Sequence, residues 1–235
     1  MRLYSPADGN SSTLAFPSIL MGSLMTRSST ATRRTLILAA LALCAGFALP
    51  AQQAAALATS GGGDTVRAFY STLLDTMRNG SQLGAQGRYA KLAPAIAQNF
   101  DIPFMTRLAV GPDWNTLTSA QQAQVTQAFE HYVAAVYAER FHEYSGEQLN
   151  VTGEEASPAG TVILSQIVKS DGEPVHINYL MRQNSGGAWQ IADVYLNGTI
   201  SELATRRSEF GSILRTQGIN GLITALNNKA AALAS

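Results

Sequence analysis

The sequence predicts an α+β domain in which a single curved antiparallel sheet of about four strands is covered by N-terminal and C-terminal helices. Three observations lead to this prediction. Apolar residues recur at helical spacing up to about residue 146, the period then falls to two over four short runs, and helical spacing returns after residue 199. Separate runs of helices and strands are typical of an α+β fold. Residues 59–235 are long enough to bury one core.

The first 58 residues predict a secretory signal rather than part of this fold. Arg33 and Arg34 precede an uncharged run over residues 36–49, and residues 56–58 form a small-x-small cleavage site. As a helix the run spans about 21 Å, which is short of the roughly 30 Å of a bilayer core. Residues 1–24 are interpreted as an extension that a start at Met25 would remove, with Met21 as the alternative start. The paired arginines leave ordinary and twin-arginine export open.

Composition excludes several classes of function. The chain is 46% hydrophobic and 14% charged, and its net charge is zero. Because neutralising phosphates requires several Lys or Arg on one face, and no basic cluster stands out, nucleic-acid binding is excluded. The single cysteine, Cys44, lies in the predicted signal, so the exported domain relies on core packing rather than on disulfides.

Helices are predicted first along the exported chain. One begins with Asp64 as N-cap and stops at Asn79-Gly80. A short helix follows within residues 87–100, and another begins at Asp101 with Pro103 in its first turn.

The longest periodic segment follows, and a capping box is expected at its start. Ser119 and Gln122 supply that box, and an apolar stripe then continues to Phe141. This helix is expected to be the spine of the domain.

Four strands are predicted at residues 147–155, 161–170, 173–183 and 188–198. Short turns rich in Gly, Asn, Asp and Ser separate them, which predicts an antiparallel meander. After the last strand, Asn197-Gly198 is expected to turn the chain, and Thr199 with Glu202 to cap a helix. Gly218 is expected to divide the C-terminal segment into two helices.

A series of short motifs recurs in a fixed order and spacing along residues 111–146 and 188–226. They are "GPDW" at 111–114, Tyr137-Ala138, Tyr144-Ser145-Gly146, "WQIADV" at 189–194, the Asn197-Gly198 turn, Ser201, Arg206, Phe210 and "GINGLI" at 218–223. In these motifs the chain resembles the periplasmic MlaC family, also called the toluene-tolerance or Ttg family of ABC-transport auxiliary proteins. The resemblance covers nearly the whole exported chain and looks closest to the HpnM branch, which is associated with hopanoid biosynthesis.

The resemblance implies an NTF2-like curved sheet that encloses an apolar cavity with its helices. It implies a phospholipid or hopanoid-type lipid as ligand, no cofactor, and a location in the periplasm. The expected partners are an inner-membrane ABC transporter complex and an outer-membrane lipoprotein complex. After the last strand, residues 198–201 are one residue longer than the family's usual pattern, at the expected mouth of the cavity.

Lipid carriage also sets a physical requirement on the lining of the site. Exposing about 30 methylenes to water costs about 24 kcal/mol, at roughly 0.8 kcal/mol each. Strand alternation places four candidate lipid contacts on one face of the third strand, and two predicted helices supply the other six. For each of these residues, ordinary packing in the core is the alternative role. The candidate lipid-contacting residues are Phe104, Met105, Leu108, Val133, Val136, Tyr137, Val175, Ile177, Tyr179 and Met181. If that face is core, the search moves to His176, Asn178 and Leu180 on the other face.

Two other classes of function stay open. A cavity enzyme acting on a small apolar substrate would use Asp193, Tyr179 and His176, although His176 and Tyr179 should face opposite sides of their strand. His131 and His142 are about 16 Å apart if they share one helix, so they are not expected to share a metal ion. The third class is a scaffold that couples protein partners without binding lipid.

Arg206 and Arg207 are the remaining charged feature. Glu202 lies four residues before Arg206, which favours a solvated helix face. The alternative is a patch for docking transport complexes or contacting a lipid headgroup.

Overall fold

The computed structural model describes residues 61–235, and the predicted signal sequence at 1–58, with its extension 1–24, lies outside that range. Within it, no helix combines the length and apolarity needed to cross a bilayer. The elements in chain order are α1 (Gly61–Arg78), α2 (Gly80–Asn99), α3 (Ile102–Val110), a 3-10 turn (Gly111–Thr116), α4 (Ser119–Arg140), β1 (Gln148–Ser157), β2 (Gly160–Val168), β3 (Pro174–Gln183), β4 (Trp189–Leu196), β5 (Ile200–Ser201) and α5 (Glu202–Leu233).

The strands form one open sheet in the order β1-β2-β3-β4-β5, with antiparallel neighbours throughout. This confirms the predicted α+β meander. The two-residue strand β5 was not predicted. It exists because Asn197 and Gly198 both adopt positive φ, 50° and 77°, which is the conformation of a tight hairpin turn. The Thr199 N–H closes this hairpin with a 3.2 Å hydrogen bond to the Leu196 carbonyl.

The hairpin corrects the predicted start of α5. Thr199 does not cap the helix with Glu202, because the chain first pairs back onto β4 through residues 200–201. Ser201 is the N-cap instead, and its hydroxyl oxygen accepts a 3.0 Å hydrogen bond from the Ala204 N–H. At Gly218 the backbone leaves helical geometry with φ of 65°, which divides α5 as expected.

The other helix starts lie within a few residues of the predicted positions. The capping box of α4 is formed by Thr118 and Gln121, one residue before the predicted pair, since the chain becomes helical at Ser119. Asp64 lies within the first turn of α1 rather than at its cap. Asp101 caps α3 as predicted, accepting a 3.2 Å hydrogen bond from the Phe104 N–H.

Aromatic side chains pack the helices against the face of the sheet that carries Tyr179, which is called the inner face below. Phe69 of α1 contacts Phe100 and Tyr137, with ring centroids 5.2 and 5.4 Å apart. Tyr70 lies edge-on to Tyr179 of β3, with centroids 5.8 Å apart. Edge-to-face pairs of this kind add to the stabilisation from burial alone. Helix α1 therefore covers the face of the sheet that carries Tyr179, and α3 and α5 contact the sheet at β4.

Candidate functional site

A groove of about 460 Å³ lies between α3, the first turns of α5, the β1–β2 turn and one face of β3 and β4. Its volume falls within the roughly 300–1,000 Å³ typical of small-molecule sites. Most of its lining is apolar, and two arginines and one aspartate add charge. The lining residues are Phe104, Leu108, Pro158, Ala159, Leu180, Arg182, Ala192, Asp193, Ser201, Leu203, Ala204 and Arg207.

Strand alternation decides which β3 side chains reach the groove. Leu180 and Arg182 line it, whereas Tyr179 and Met181 point to the opposite face, where both are buried. Helix α3 is held beside β4 because the Asp101 N–H donates a 2.8 Å hydrogen bond to the Ile191 carbonyl. The groove is therefore formed on the face of the sheet that α1 does not cover.

A bulge in β4 brings Asp193 to the groove. The pairing of β3 with β4 shifts between Leu180 and Met181, so Ala192 is an extra residue on β4. The Asp193 carboxylate accepts hydrogen bonds from the Val194 N–H at 2.7 Å, the Leu203 N–H at 3.1 Å and the Ser201 hydroxyl at 2.6 Å. Burial raises the pKa of Asp193, and these three hydrogen bonds oppose that rise.

These contacts assign Asp193 to tying β4 to α5. The other two enzyme candidates do not join it in a common site: His176 is exposed, and Tyr179 is buried on the other face of the sheet, as strand alternation predicts. His142 lies beyond the end of α4, so it does not share a helix with His131. Among the described residues, no group of three or more His, Cys, Asp or Glu is placed to hold a metal ion.

Arg206 contradicts the prediction of a solvated helix face. It is only 3% exposed and pairs with Glu202 at 3.1 Å and with Glu209. Its guanidinium carbon lies 5.7 Å from the centre of the Tyr132 ring. Helix α5 packs along α4, and this packing buries the side of α5 that carries Arg206. Arg207, one residue on, is exposed and lines the groove.

Two of the ten candidate lipid-contacting residues line the groove. They are Phe104, which is half-buried, and Leu108, which is 40% exposed. The structure does not bring the other eight into this lining, and their contact with lipid stays a prediction. Five of the eight are buried, namely Met105, Val133, Val136, Tyr179 and Met181. The other three are half-buried, namely Tyr137, Val175 and Ile177.

A hydrogen-bond network is buried on the face of the sheet that packs against α1. The Tyr70 hydroxyl lies 2.6 Å from the Ser165 hydroxyl, which donates in turn to the Ile177 carbonyl. Burial raises the pKa of Tyr70, Tyr137 and Tyr179, so these phenols stay neutral at physiological pH. This buried network gives the inner face a structural role.

Sequence reasoning missed most of the groove lining. Leu180 belongs only to the alternative face predicted for the third strand, and Arg182 is not among the predicted residues. The signal that could have found them was an apolar residue and an arginine two positions apart on the face opposite Tyr179. The contributions of Pro158, Ala159 and Ala204 come from elements far apart in sequence, and no local pattern indicates them.

The open antiparallel sheet packs against α1 on one face, and on the other face α3 and the first turns of α5 bound a largely apolar groove. The chain belongs to the MlaC family: the family described as "MlaC protein" matches residues 67–228. Members of this family are periplasmic lipid-binding transport proteins. Assignment to the HpnM branch stays a prediction.

The fold is similar to a solved structure of the phospholipid-binding protein from Ralstonia solanacearum in complex with a phospholipid. The TM-score is 0.64 at 22% sequence identity, and the match covers 74% of this chain and 99% of the other. At this identity the comparison establishes the shared fold.

Proposed function

We propose that this protein is a periplasmic lipid carrier. It holds the apolar part of a phospholipid or hopanoid-type lipid in the groove and passes the lipid between an inner-membrane ABC transporter complex and an outer-membrane lipoprotein complex. The observation that carries the proposal is the apolar groove itself, in which Leu108 remains 40% exposed. Membership of the MlaC family and the phospholipid bound to a protein of the same fold support it.

The energetics of the groove agree with such a ligand. Each methylene removed from water contributes about 0.8 kcal/mol, so one buried acyl chain contributes on the order of 10 kcal/mol. Phe104, Leu108 and Leu180 offer that chain apolar contact from a helix and a strand on either side.

Export to the periplasm is supported by the sequence before the described domain. The uncharged run at 36–49 and the site at 56–58 predict a cleavable signal, after which the protein begins at Thr59. Arrival in the periplasm would place the carrier between the two membranes that its proposed partners occupy.

Native mass spectrometry of the protein purified from its own periplasm tests the proposal. We expect a bound lipid that is recovered chemically unchanged after incubation. Ala204→Trp should reduce lipid occupancy, because Ala204 is an exposed groove residue on α5 and the indole would fill the groove. Ala231→Trp, at an exposed position near the far end of the same helix, is the matched control and should retain lipid.

The results distinguish the alternatives. A protein that carries no lipid and takes none up from vesicles would favour the scaffold function. Conversion of the lipid to a product would favour the cavity enzyme, although the hydrogen bonds of Asp193 assign that carboxylate to structure.

A further inference from the structure

We propose that the protein has a second binding site, for a neutral oligosaccharide, between α4 and the part of α5 that follows Gly218. The site is a groove of about 490 Å³, called the amide groove below, and its volume is in the range of small-molecule sites. It shares no lining residue with the groove beside α3, so the saccharide is a ligand separate from the carried lipid. The polar side chains of its lining belong to Gln124, Gln127, His131, Asn220, Thr224 and Asn227.

Helix α5 folds back along α4 to form this groove. In its first half α5 runs antiparallel to α4, since Arg206 lies over the Tyr132 ring and Phe210 packs edge-on against Phe129. A straight continuation would carry residues 220–227 beyond the start of α4. These residues instead line a groove together with the middle of α4, so the second half of α5 has turned back.

Gly218 makes the turn possible. Its φ of 65° and ψ of −172° lie in a region of backbone conformation that is open almost only to glycine. An added Cβ at this position would meet no atom within 4 Å, so the glycine is required by the direction of the backbone and not by crowding. The backbone conformation at one residue therefore brings the two walls of the amide groove together.

The lining of the amide groove is polar without being charged. It contains no Asp, Glu, Lys or Arg. Carboxamides offer two N–H donors and a carbonyl acceptor, and a hydroxyl or a neutral imidazole also donates and accepts. Sugar hydroxyl groups match this chemistry, because each of them donates and accepts hydrogen bonds without carrying a charge. An ion would find no counter-charge in the same lining.

The polar side chains of the amide groove are available to a ligand. Within residues 61–235, none of the six forms a hydrogen bond or an ion pair with another residue. Half-buried amides elsewhere in the domain are held by the protein. Gln122 donates to the Trp114 carbonyl at 3.0 Å, and Asn184 donates to the Gln190 side chain at 3.1 Å.

The shape of the amide groove suits an elongated ligand. Each helix contributes three polar residues that span seven positions, so each row is about 10 Å long, which is enough for more than one sugar ring. Ala128 and Ile223 supply the apolar part of the lining, where the C–H faces of sugar rings can pack. The first of these residues is buried and the second is half-buried.

Nuclear magnetic resonance of the isotope-labelled exported protein, with its own lipid bound, tests the inference. The probes are maltotriose and N,N′-diacetylchitobiose, which are both neutral and differ in their acetamido groups. We expect at least one of them to shift the side-chain amide resonances of Gln124, Gln127, Asn220 and Asn227, and to do so saturably. Asn227→Ala should lose on the order of tenfold in affinity, because the carboxamide contributes more than one hydrogen bond.

The chain offers a matched control for this variant. Asn228 is exposed on the same helix, next to Asn227, and lies outside the lining, so Asn228→Ala should bind the sugars as the wild type does. Gln127→Ala tests the opposite wall and should weaken binding as Asn227→Ala does. All three side chains are exposed, so the melting temperatures should stay close to that of the wild type.

Several results would overturn the saccharide assignment. One is the absence of any shift with either sugar up to its solubility limit, and another is binding that Asn227→Ala and Gln127→Ala leave unchanged. Shifts caused by an uncharged glycine–serine peptide, and by neither sugar, would assign the groove to an extended polypeptide instead. Shifts that follow protein concentration alone would assign it to a second copy of the chain. Lipid occupancy should be the same in every variant, so failure of this inference leaves the proposed function standing.

Discussion

The hydroxyl of Ser201 donates a 2.6 Å hydrogen bond to the Asp193 carboxylate, across the hairpin that joins β4 to α5. The same oxygen accepts from the Ala204 N–H and so caps the helix. Because Asp193 also accepts from the Leu203 N–H, two side-chain hydrogen bonds connect the bulge of β4 to the start of α5. One wall of the groove is fixed by this connection.

Asp193→Asn should change how stability depends on pH. Burial raises the pKa of Asp193 in the folded protein, so the folded state holds the proton to higher pH than the unfolded state. The stability linked to that proton is fully present below the unfolded pKa of about 3.9 and is lost as pH rises through the folded value. The free energy of unfolding of the Asn variant should therefore improve relative to wild type as pH rises from 4 to 7.

Urea denaturation of both proteins across that range measures the difference. The Asn side chain can still accept from the Val194 and Leu203 N–H groups, so its fold should be retained. A difference that does not vary with pH would contradict the assignment of a raised pKa.

One tryptophan substitution on each side of the sheet should distinguish its two faces. Ile177 lies on the face of Tyr179, which packs against α1, so Ile177→Trp should overpack the interior. We expect it to lower the free energy of unfolding of the lipid-free protein by about 1–3 kcal/mol. Leu108→Trp, at a position of the groove that is 40% exposed on α3, should instead mainly reduce lipid occupancy.

Delipidated proteins must be compared, because bound lipid stabilises the native state by mass action. If Ile177→Trp loses lipid while its stability is unchanged, the lipid binds on the inner face of the sheet and not in the groove.

Removing Arg206 should be strongly destabilising. Its side chain is 4% exposed, while those of Glu202 and Glu209 are 16% and 17% exposed, so Arg206→Met leaves two carboxylates nearly buried without their cation. Breaking a buried ion pair in this way costs about 3–5 kcal/mol.

The triple variant Arg206→Met/Glu202→Gln/Glu209→Gln should recover much of that loss, since no buried charge is then unpaired. Thermal unfolding of the single and triple variants measures the recovery. Equal destabilisation of both would show that packing, rather than charge, dominates at this position.

Gly80→Ala should destabilise the protein even though alanine favours helices. An added Cβ would lie 1.9 Å from the backbone carbonyl oxygen of His142, which has no side-chain freedom with which to move away. We expect a loss of roughly 2 kcal/mol or more, against a gain of up to about 1 kcal/mol at an unhindered helical site.

Gly186→Ala is the control, because its nearest neighbour is the Asn184 side-chain oxygen at 3.4 Å. Chemical denaturation should find it close to wild type. A stabilised Gly80→Ala protein would rule out the close approach of α2 to residue 142.

Processing of the signal is a separate prediction from the sequence. The small-x-small site at 56–58 predicts that the exported protein begins at or within a few residues of Thr59. Intact-mass measurement of the periplasmic protein tests this directly. A full-length product retained in the membrane would contradict cleavage.

The sequence by itself determined the elements of the domain and their order. Apolar periodicity identified the helices and the change to strands, and turn residues such as Asn197-Gly198 and Gly218 marked where elements end, because these signals depend on local backbone geometry. Local chemistry also identified the Asp101 cap. It misplaced the capping box of α4 by one residue because Thr118 and Ser119 are adjacent and can both cap. It misplaced the start of α5 because pairing of residues 200–201 with β4 moves the cap from Thr199 to Ser201.

Only the tertiary structure decided which surfaces of those elements became site and which became core. Periodicity assigns Tyr179 and Leu180 to opposite faces of β3, but the position of α1 decides that Tyr179 is packed and that Leu180 lines the groove. In the same way, adjacent Arg206 and Arg207 have similar local sequence, yet α4 buries the first and leaves the second at the groove. The physical reason is that burial and electrostatic partners come from elements far away in the chain, and local patterns carry no record of how those elements pack.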